Sequence, residues 1–243
     1  RLQGDWSSDV CSSDLVLLIG LRPDPYREAM RLRGSAQVGL AKARLRDGLS
    51  HVRSRPRALL GIGAIAVGHV VMIMVMVMTP VHMAQDDVSL QVIGLVISVH
   101  VAGMYAFSPV VGIAVDRFGR IPVIWIGITV LLASCAVSGL AAADNATALG
   151  LGLFLLGLGW SCTLIAGSTL VTDEVDAKER PSVQGLSDLA MNIAGAAGGV
   201  VAGIVVWLAS YSVLTAVAAI PVLTLAACTA LPACRRRSNT SSM

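Results

Sequence analysis

Charge is what this chain has least of. Only 14% of its 243 residues are Asp, Glu, Lys or Arg, against about 25% in a soluble domain. Such a balance argues against a surface bathed in water. Cysteine is sparse and unpatterned. Cys11, Cys135, Cys162, Cys228 and Cys234 show neither a disulfide framework nor a zinc spacing, and they read as small apolar fillers. No nucleophile–base set and no phosphate-cradling loop is present, so neither an enzyme nor a resident cofactor is expected. Basic residues are missing from alternate connecting segments: His82 to Ser89 holds Asp86 and Asp87, and Ala141 to Thr147 holds Asp144, with no Lys or Arg in either.

What fills the chain instead is apolar sequence in long blocks. The composition is 55% hydrophobic and the mean hydropathy +0.76. Six blocks, roughly 58–83, 90–115, 121–141, 148–171, 183–207 and 211–231, each approach or exceed the ~20 residues that cross a bilayer core as a helix. The predicted class is therefore all-α, a polytopic membrane protein with six transmembrane helices. Lys and Arg gather at 22–57, at 116–120, at Lys178 and Arg180, and at Arg235, Arg236 and Arg237. The positive-inside rule puts these segments and the C-terminus in the cytoplasm, and six spans with both ends inside are self-consistent. An inner-face loop accounts for the basic 22–57 stretch without nucleic acid.

The connector between the second and third blocks reads Gly112-Ile-Ala-Val-Asp116-Arg117-Phe-Gly119-Arg120. It resembles the cytoplasmic loop signature of the major facilitator superfamily, G-x-x-x-D-R-x-G-R. The resemblance implies a secondary transporter of twelve helices, of which this chain carries the C-terminal six. It also makes Gly112, Asp116, Arg117, Gly119 and Arg120 a gating loop that packs against neighbouring helix ends. Under that reading 22–57 is the basic cytoplasmic central loop, 58–231 the six-helix transporter half and 232–243 a basic cytoplasmic tail in a cell (inner/plasma) membrane. The partners are the lipid bilayer, the N-terminal half, and a small solute or copper ion.

Residues 5–15, Asp5-Trp-Ser-Ser-Asp-Val-Cys-Ser-Ser-Asp-Leu15, look like the translation of a common sequencing-library adapter. Residues 1–15 are accordingly excluded from fold reasoning, and they do not read as a secretory signal. Residues 16–21 then read as the stump of a preceding transmembrane helix, stopped by Arg22-Pro23-Asp24-Pro25.

Three groups inside the spans carry chemistry. The first block alternates Met with Val or Ile over Met72, Met74, Met76 and Met78; membrane context makes it a helix, because an isolated strand leaves its backbone unsatisfied in lipid. The second block places His100 and Met104 four apart on one face. Thioether selects Cu(I) and imidazole accepts copper. Met74 and Met78 with His100 and Met104 resemble the copper-importing branch of the superfamily, and Met72 and Met76 with His69 offer another register. Methionine is also a common gap-filler between helices, and a Met-lined pocket for an organic solute is the competing reading. In the fifth block Gln184, Asp188 and Asn192 step by four and Gly195, Gly199 and Gly203 continue the face, a small-xxx-small stripe. Asp188 sits either at the helix start, favouring the positive end of the dipole, or two turns deep, where Asp188 and Asn192 are candidates for proton coupling. Copper uptake is the first expectation for the substrate, and proton-coupled movement of a drug- or vitamin-like compound the second.

The one-sidedness of the basic segments is testable in the full-length protein. Single cysteines introduced in the 116–120 turn and in the 235–237 tail are expected to react with an impermeant thiol reagent from the same side of the membrane. Labelling from opposite sides would refute the topology.

Overall fold

The structure is a computed structural model that describes residues 49 and 52–230. Expectations for 1–21, for most of 22–57, for 231 and for the 232–243 tail lie outside the described residues. Among the described residues from 56 onward, seven helices follow one another: α1 (Pro56–Gln85), α2 (Leu90–Tyr105), α3 (Ser108–Phe118), α4 (Arg120–Leu140), α5 (Ala146–Glu174), α6 (Arg180–Leu208) and α7 (Tyr211–Ala230). With α2 and α3 taken together as Leu90–Phe118, six spans are long and apolar enough to cross a membrane. The all-α, six-span reading is therefore the architecture, with ends shifted by a few residues. The start of α1 moves from 58 to Pro56, because proline at the first helical position costs no hydrogen bond and presets φ.

The second span differs most from the expectation of one continuous helix over 90–115. It breaks at Ala106 and Phe107. The cause is Pro109, which has no N–H to offer the carbonyl of Tyr105 four residues back. Ala106 N still donates to Ala102 O and Val111 N to Phe107 O, so the interruption is local. The connector after α3 is shorter than a loop. Asp116, Arg117 and Phe118 complete α3, and Arg120 already begins α4. Gly119 alone turns the chain, at φ 91° and ψ 168°, a conformation that L side chains rarely adopt.

α5 is the hub. It packs against α4, α1, α2 and α3, while α6 rests on α1 and α7 on α4 and α1. α5 is also the most buried span and α6 the least. The reason is written in α5's glycines, which face different neighbours. A Cβ on Gly157 would overlap the carbonyl oxygen of His100 and lie 2.8 Å from Met104 N. One on Gly167 would lie 2.8 Å from Gly61 O, and one on Gly159 2.8 Å from Leu131 Cγ. Helix backbones thus approach to van der Waals contact on several sides of α5, the close packing that membrane helices use in place of a hydrophobic drive. Short polar side chains tie the contacts: Ser134 Oγ donates to Gly152 O at 2.7 Å, and Thr79 Oγ1 and Tyr211 Oη lie 2.7 Å apart.

Gly157→Val is therefore expected to destabilise the full-length protein by about 1–3 kcal/mol through overpacking. Gly63→Ala, where an added Cβ meets nothing within 4 Å, is expected to be neutral or slightly stabilising. Thermal unfolding of the two purified variants, followed by size-exclusion, separates them; equal midpoints would contradict the packing argument.

Candidate functional site

One end of the bundle is held by arginine. The last turn of α5 carries Asp173 and Glu174 at the negative end of its dipole, an unfavourable placement for carboxylates. Three arginines from two other segments offset it. Arg120 Nε, at the start of α4, lies 2.7 Å from Asp173 Oδ2, an ion pair whose N–H is not aimed along the contact. Arg57 Nη1, in the first turn of α1, lies 2.9 Å from Glu174 Oε1. Arg55, just before α1, donates Nη1 to the Glu174 carbonyl at 2.8 Å and pairs with Glu179 at 3.2 Å and Asp176 at 3.6 Å. Arg55, Arg57 and Arg120 thus meet the end of α5 and the α5–α6 turn at one end of the helices. Of the five gating-loop residues, Arg120 takes up this partnership and Gly119 makes the turn. Gly112 lies within α3, with nothing within 4 Å of an added Cβ. Asp116 and Arg117 are exposed, and Arg117 lies 5.9 Å from the ring centre of its neighbour Phe118.

At mid-depth the structure assembles a second group. His69 in α1, Trp160 in α5 and Tyr105 at the α2–α3 break each fall near the middle of their spans. Trp160 Nε1 donates to His69 Nδ1 at 3.3 Å. The His69 ring proton then belongs on Nε2, which makes no hydrogen bond among the described residues. The two rings are 6.4 Å apart, and Tyr105 meets Trp160 edge-on at 6.2 Å. Trp160 is 7% exposed and Tyr105 61%, so the tyrosine opens the cluster to the surface. The edge of His69 rests on α6 at Gly195, where a Cβ would come within 2.7 Å of the ring. Asn192 lies three residues before Gly195 on the same helix face.

Asp188 is not in the first turn of α6, since the helix starts eight residues earlier at Arg180. The helix-start reading is thereby replaced by the deeper one. Gln184 Nε2 donates to Asp188 Oδ1 at 2.9 Å, and Asn192 Nδ2 to the Asp188 carbonyl at 2.7 Å. All three are exposed, and among the described residues Asp188 is the one carboxylate more than two turns inside a helix.

The methionine–histidine set is spread over different neighbours. His100 is fully buried, and its Nδ1 donates to Leu153 O of α5 at 2.8 Å; it faces a partner helix. Met104 is buried on the same side. Met74 is turned to α6, its Cγ 3.4 Å from where a Gly198 Cβ would stand. Met78 is half-buried. In the other register Met72 is buried while Met76 and His69 are half-buried. Among the described residues no three His, Cys, Asp or Glu side chains converge as a metal cluster would.

Trp160 and Tyr105 were missed by the sequence reading, and His69 was named only as a metal candidate. Their signal was position. Amphipathic aromatics concentrate where spans meet the interface, and these two sit halfway between. A groove of about 400 Å³ between α4 and α7, lined by small residues such as Gly139, Ala136 and Ala216, lies away from the cluster.

Comparison with known proteins bears on the family of the chain. The family model described as Major Facilitator Superfamily matches residues 60–241. The chain is 36% identical over 203 residues to an uncharacterized MFS-type transporter, YddS, of Bacillus subtilis, covering 83% of this chain and 46% of that one. It is 35% identical over 206 residues to a second, YdeG, of the same organism, covering 85% and 48%. A riboflavin transporter, RfnT, of Brucella anthropi is 32% identical over 143 residues, covering 59% and 35%. The chain spans about half the length of the first two relatives.

The Arg120–Asp173 pair is part-exposed on both sides, so its coupling is expected to be only about 0.2–1 kcal/mol. Arg120→Asp and Asp173→Arg are each expected to leave the full-length protein folded, and the double exchange to recover what either loses. A double-mutant cycle in thermal stability measures this, and additive single effects would show that the contact carries no coupling.

Proposed function

The chain belongs to the Major Facilitator Superfamily, a multi-pass membrane protein family, and on that premise we propose that it is the C-terminal six-helix half of a twelve-helix secondary transporter. The transporter moves a small organic solute across the inner or plasma membrane by alternating access. The observation that carries this reading is the pairing of two features in one bundle. At one end, side chains that lie far apart in sequence are held by ion pairs weak enough to break. At mid-depth, polar and aromatic side chains meet between otherwise apolar helices, where an unpaired donor is costly unless something occupies it. A solute contact in the middle and a breakable closure at one end are the minimum that alternating access needs.

The basic end faces the cytoplasm, as the positive-inside rule has it. The second wall of the pathway is the N-terminal half, which meets the exposed faces of α2, α3 and α6. Asp188 is the coupling carboxylate, and Asn192 links its backbone toward Gly195 and the His69 ring. The organic solute replaces copper as the preferred substrate. His100 and Met74 address different helices, and the named relative with a stated substrate, RfnT, carries riboflavin.

The full-length protein in proteoliposomes, with a proton gradient imposed, tests the proposal. Accumulation of riboflavin or another small organic compound is expected, and accumulation of Cu(I) is not. Asp188→Asn is expected to lower gradient-driven accumulation at least about tenfold while leaving solute exchange without a gradient intact. Copper accumulation abolished by His100→Ala would reverse the choice of substrate.

A further inference from the structure

We infer that the pocket where α5 and α6 part at the basic end binds a small organic monoanion, a carboxylate on a compact apolar body. The site is separate from the mid-depth cluster and does not depend on transport. α5 and α6 follow one another through the 175–179 turn yet scarcely touch along their lengths, while α1 packs against both. They leave a wedge of about 290 Å³ beside the turn, at the low end of the volumes that hold small molecules.

The wedge is positive because of how the neighbouring charges pair. The end of α5 and the turn are rich in acid, and each carboxylate is met by a cation. Arg120 takes Asp173, Arg57 takes Glu174, and Arg55 takes Asp176 and Glu179. Arg180 is left with no ion pair among the described residues. Its Nε makes a long contact of 3.4 Å to the Val175 carbonyl, which holds the guanidinium at the wall of the pocket. Its Nη donors are committed to no described residue. A planar fork of this kind meets a carboxylate with two parallel hydrogen bonds. Gln184, also in the wall, gives one Nε2 hydrogen to Asp188 and keeps the second for the same guest.

The rest of the lining sets the guest's body and charge. Val171, Val175, Pro181 and Val183 supply an apolar floor, which inorganic phosphate or acetate leaves unused. Thr172 Oγ1 gives its proton to the Ser168 carbonyl, so it adds no donor for a second charged group. One guanidinium balances one negative charge, and a dianion keeps charge unpaired. An amino acid brings an ammonium group to this wall, and the carboxylates nearest to it are already paired. Asp188 lies eight residues beyond Arg180, about 12 Å along the helix, past the ~10 Å over which exposed charges act at about 0.1 M salt. A phospholipid has the charge, but its chains would run on along Gln184, Asp188 and Asn192, which are polar and exposed. The guest is accordingly a soluble anion.

Saturation-transfer NMR on the detergent-purified full-length protein reads the affinities of four probes. Phenylacetate carries the charge and the body, phenylacetamide the body alone, acetate the charge alone, and phenylalanine the charge with an added ammonium. Phenylacetate is expected to bind at least about tenfold more tightly than each of the others. Arg180→Gln is expected to bring it down to the level of phenylacetamide. Arg180→Lys, which keeps the charge without the fork, is expected to lose a few-fold. Lys178→Gln, at an exposed position two residues earlier, is expected to leave binding unchanged. Size-exclusion and thermal unfolding certify each variant as folded, and the four probes on the unaltered protein carry the comparison if Arg180→Gln does not fold. No saturable binding of phenylacetate, equal binding of phenylacetamide, or unchanged phenylacetate binding in folded Arg180→Gln overturns the inference. An equal loss in Lys178→Gln assigns the attraction to diffuse surface charge and overturns it too. So does displacement of phenylacetate by dihexanoylphosphatidylglycerol at about a tenth of its concentration, which makes the occupant a lipid headgroup.

Discussion

Everything else in this bundle depends on backbone-to-backbone contact along α5. In lipid, apolar side chains gain nothing by leaving their surroundings for one another, so helices must hold together by fit. α5 solves this by carrying glycine on several sides. Gly157 meets α2, Gly152 and Gly159 meet α4, and Gly167 meets Gly61 of α1. Each contact brings carbonyls and short side chains within hydrogen-bonding reach, which explains why His100 and Ser134 bond to α5 carbonyls rather than to other side chains. The same approach leaves no room for adjustment. An added methyl meets backbone at Gly157 and Gly167, and backbone does not move aside as a flexible side chain does.

That rigidity sets where the molecule can change shape. α6 touches α1 and, slightly, α7, and most of its surface is uncovered. α2 and α3 are separated by the Pro109 break, which sits beside Tyr105. The ion pairs at the basic end join α4, α5 and the entrance of α1 through part-exposed contacts. The proposed transport cycle would need a stiff frame and joints that open on either side of it. The closest-packed element is α5 with its glycine contacts. The least packed are the α2–α3 break, the lightly covered α6 and the arginine contacts.

How much of this was legible in the chain follows from the range of each interaction. Span number and class came from local hydropathy, which needs about 20 residues of context. The one-residue turn at Gly119 was signalled by its motif, although the motif alone read as a loop; that Asp116 and Arg117 still belong to α3 depends on where the hydrogen bonds stop. The Pro109 break was written in the sequence and passed over, because a long apolar block reads as one helix. Asp188 needed the true start of α6, a matter of three residues. The His69–Trp160 contact spans 91 positions, and no periodicity within either helix announces it. Periodicity did group His69 with Met72 and Met76, but it could not say that a tryptophan from α5 would take the imidazole's Nδ1.

The fate of the methionine stripe illustrates the same limit from the other side. Spacing by four puts two thioethers on one face, and it does so for both Met72/Met76 and Met74/Met78. A copper site needs a second helix to present its ligands to that face. α1 and α2 make little contact, because α2 packs chiefly on α5 while α1 packs on α5 and α6; the imidazole of His100 gives its Nδ1–H to an α5 carbonyl, and its buried Nε2 makes no hydrogen bond among the described residues. The glycines of α5 therefore decide more than stability. By drawing α2 onto α5, they commit His100 to the Leu153 carbonyl. By leaving the middle of α1 beside Trp160, they give the Nδ1 of His69 the indole N–H as its partner. The chemistry of the site is in this sense a consequence of which helix could come closest.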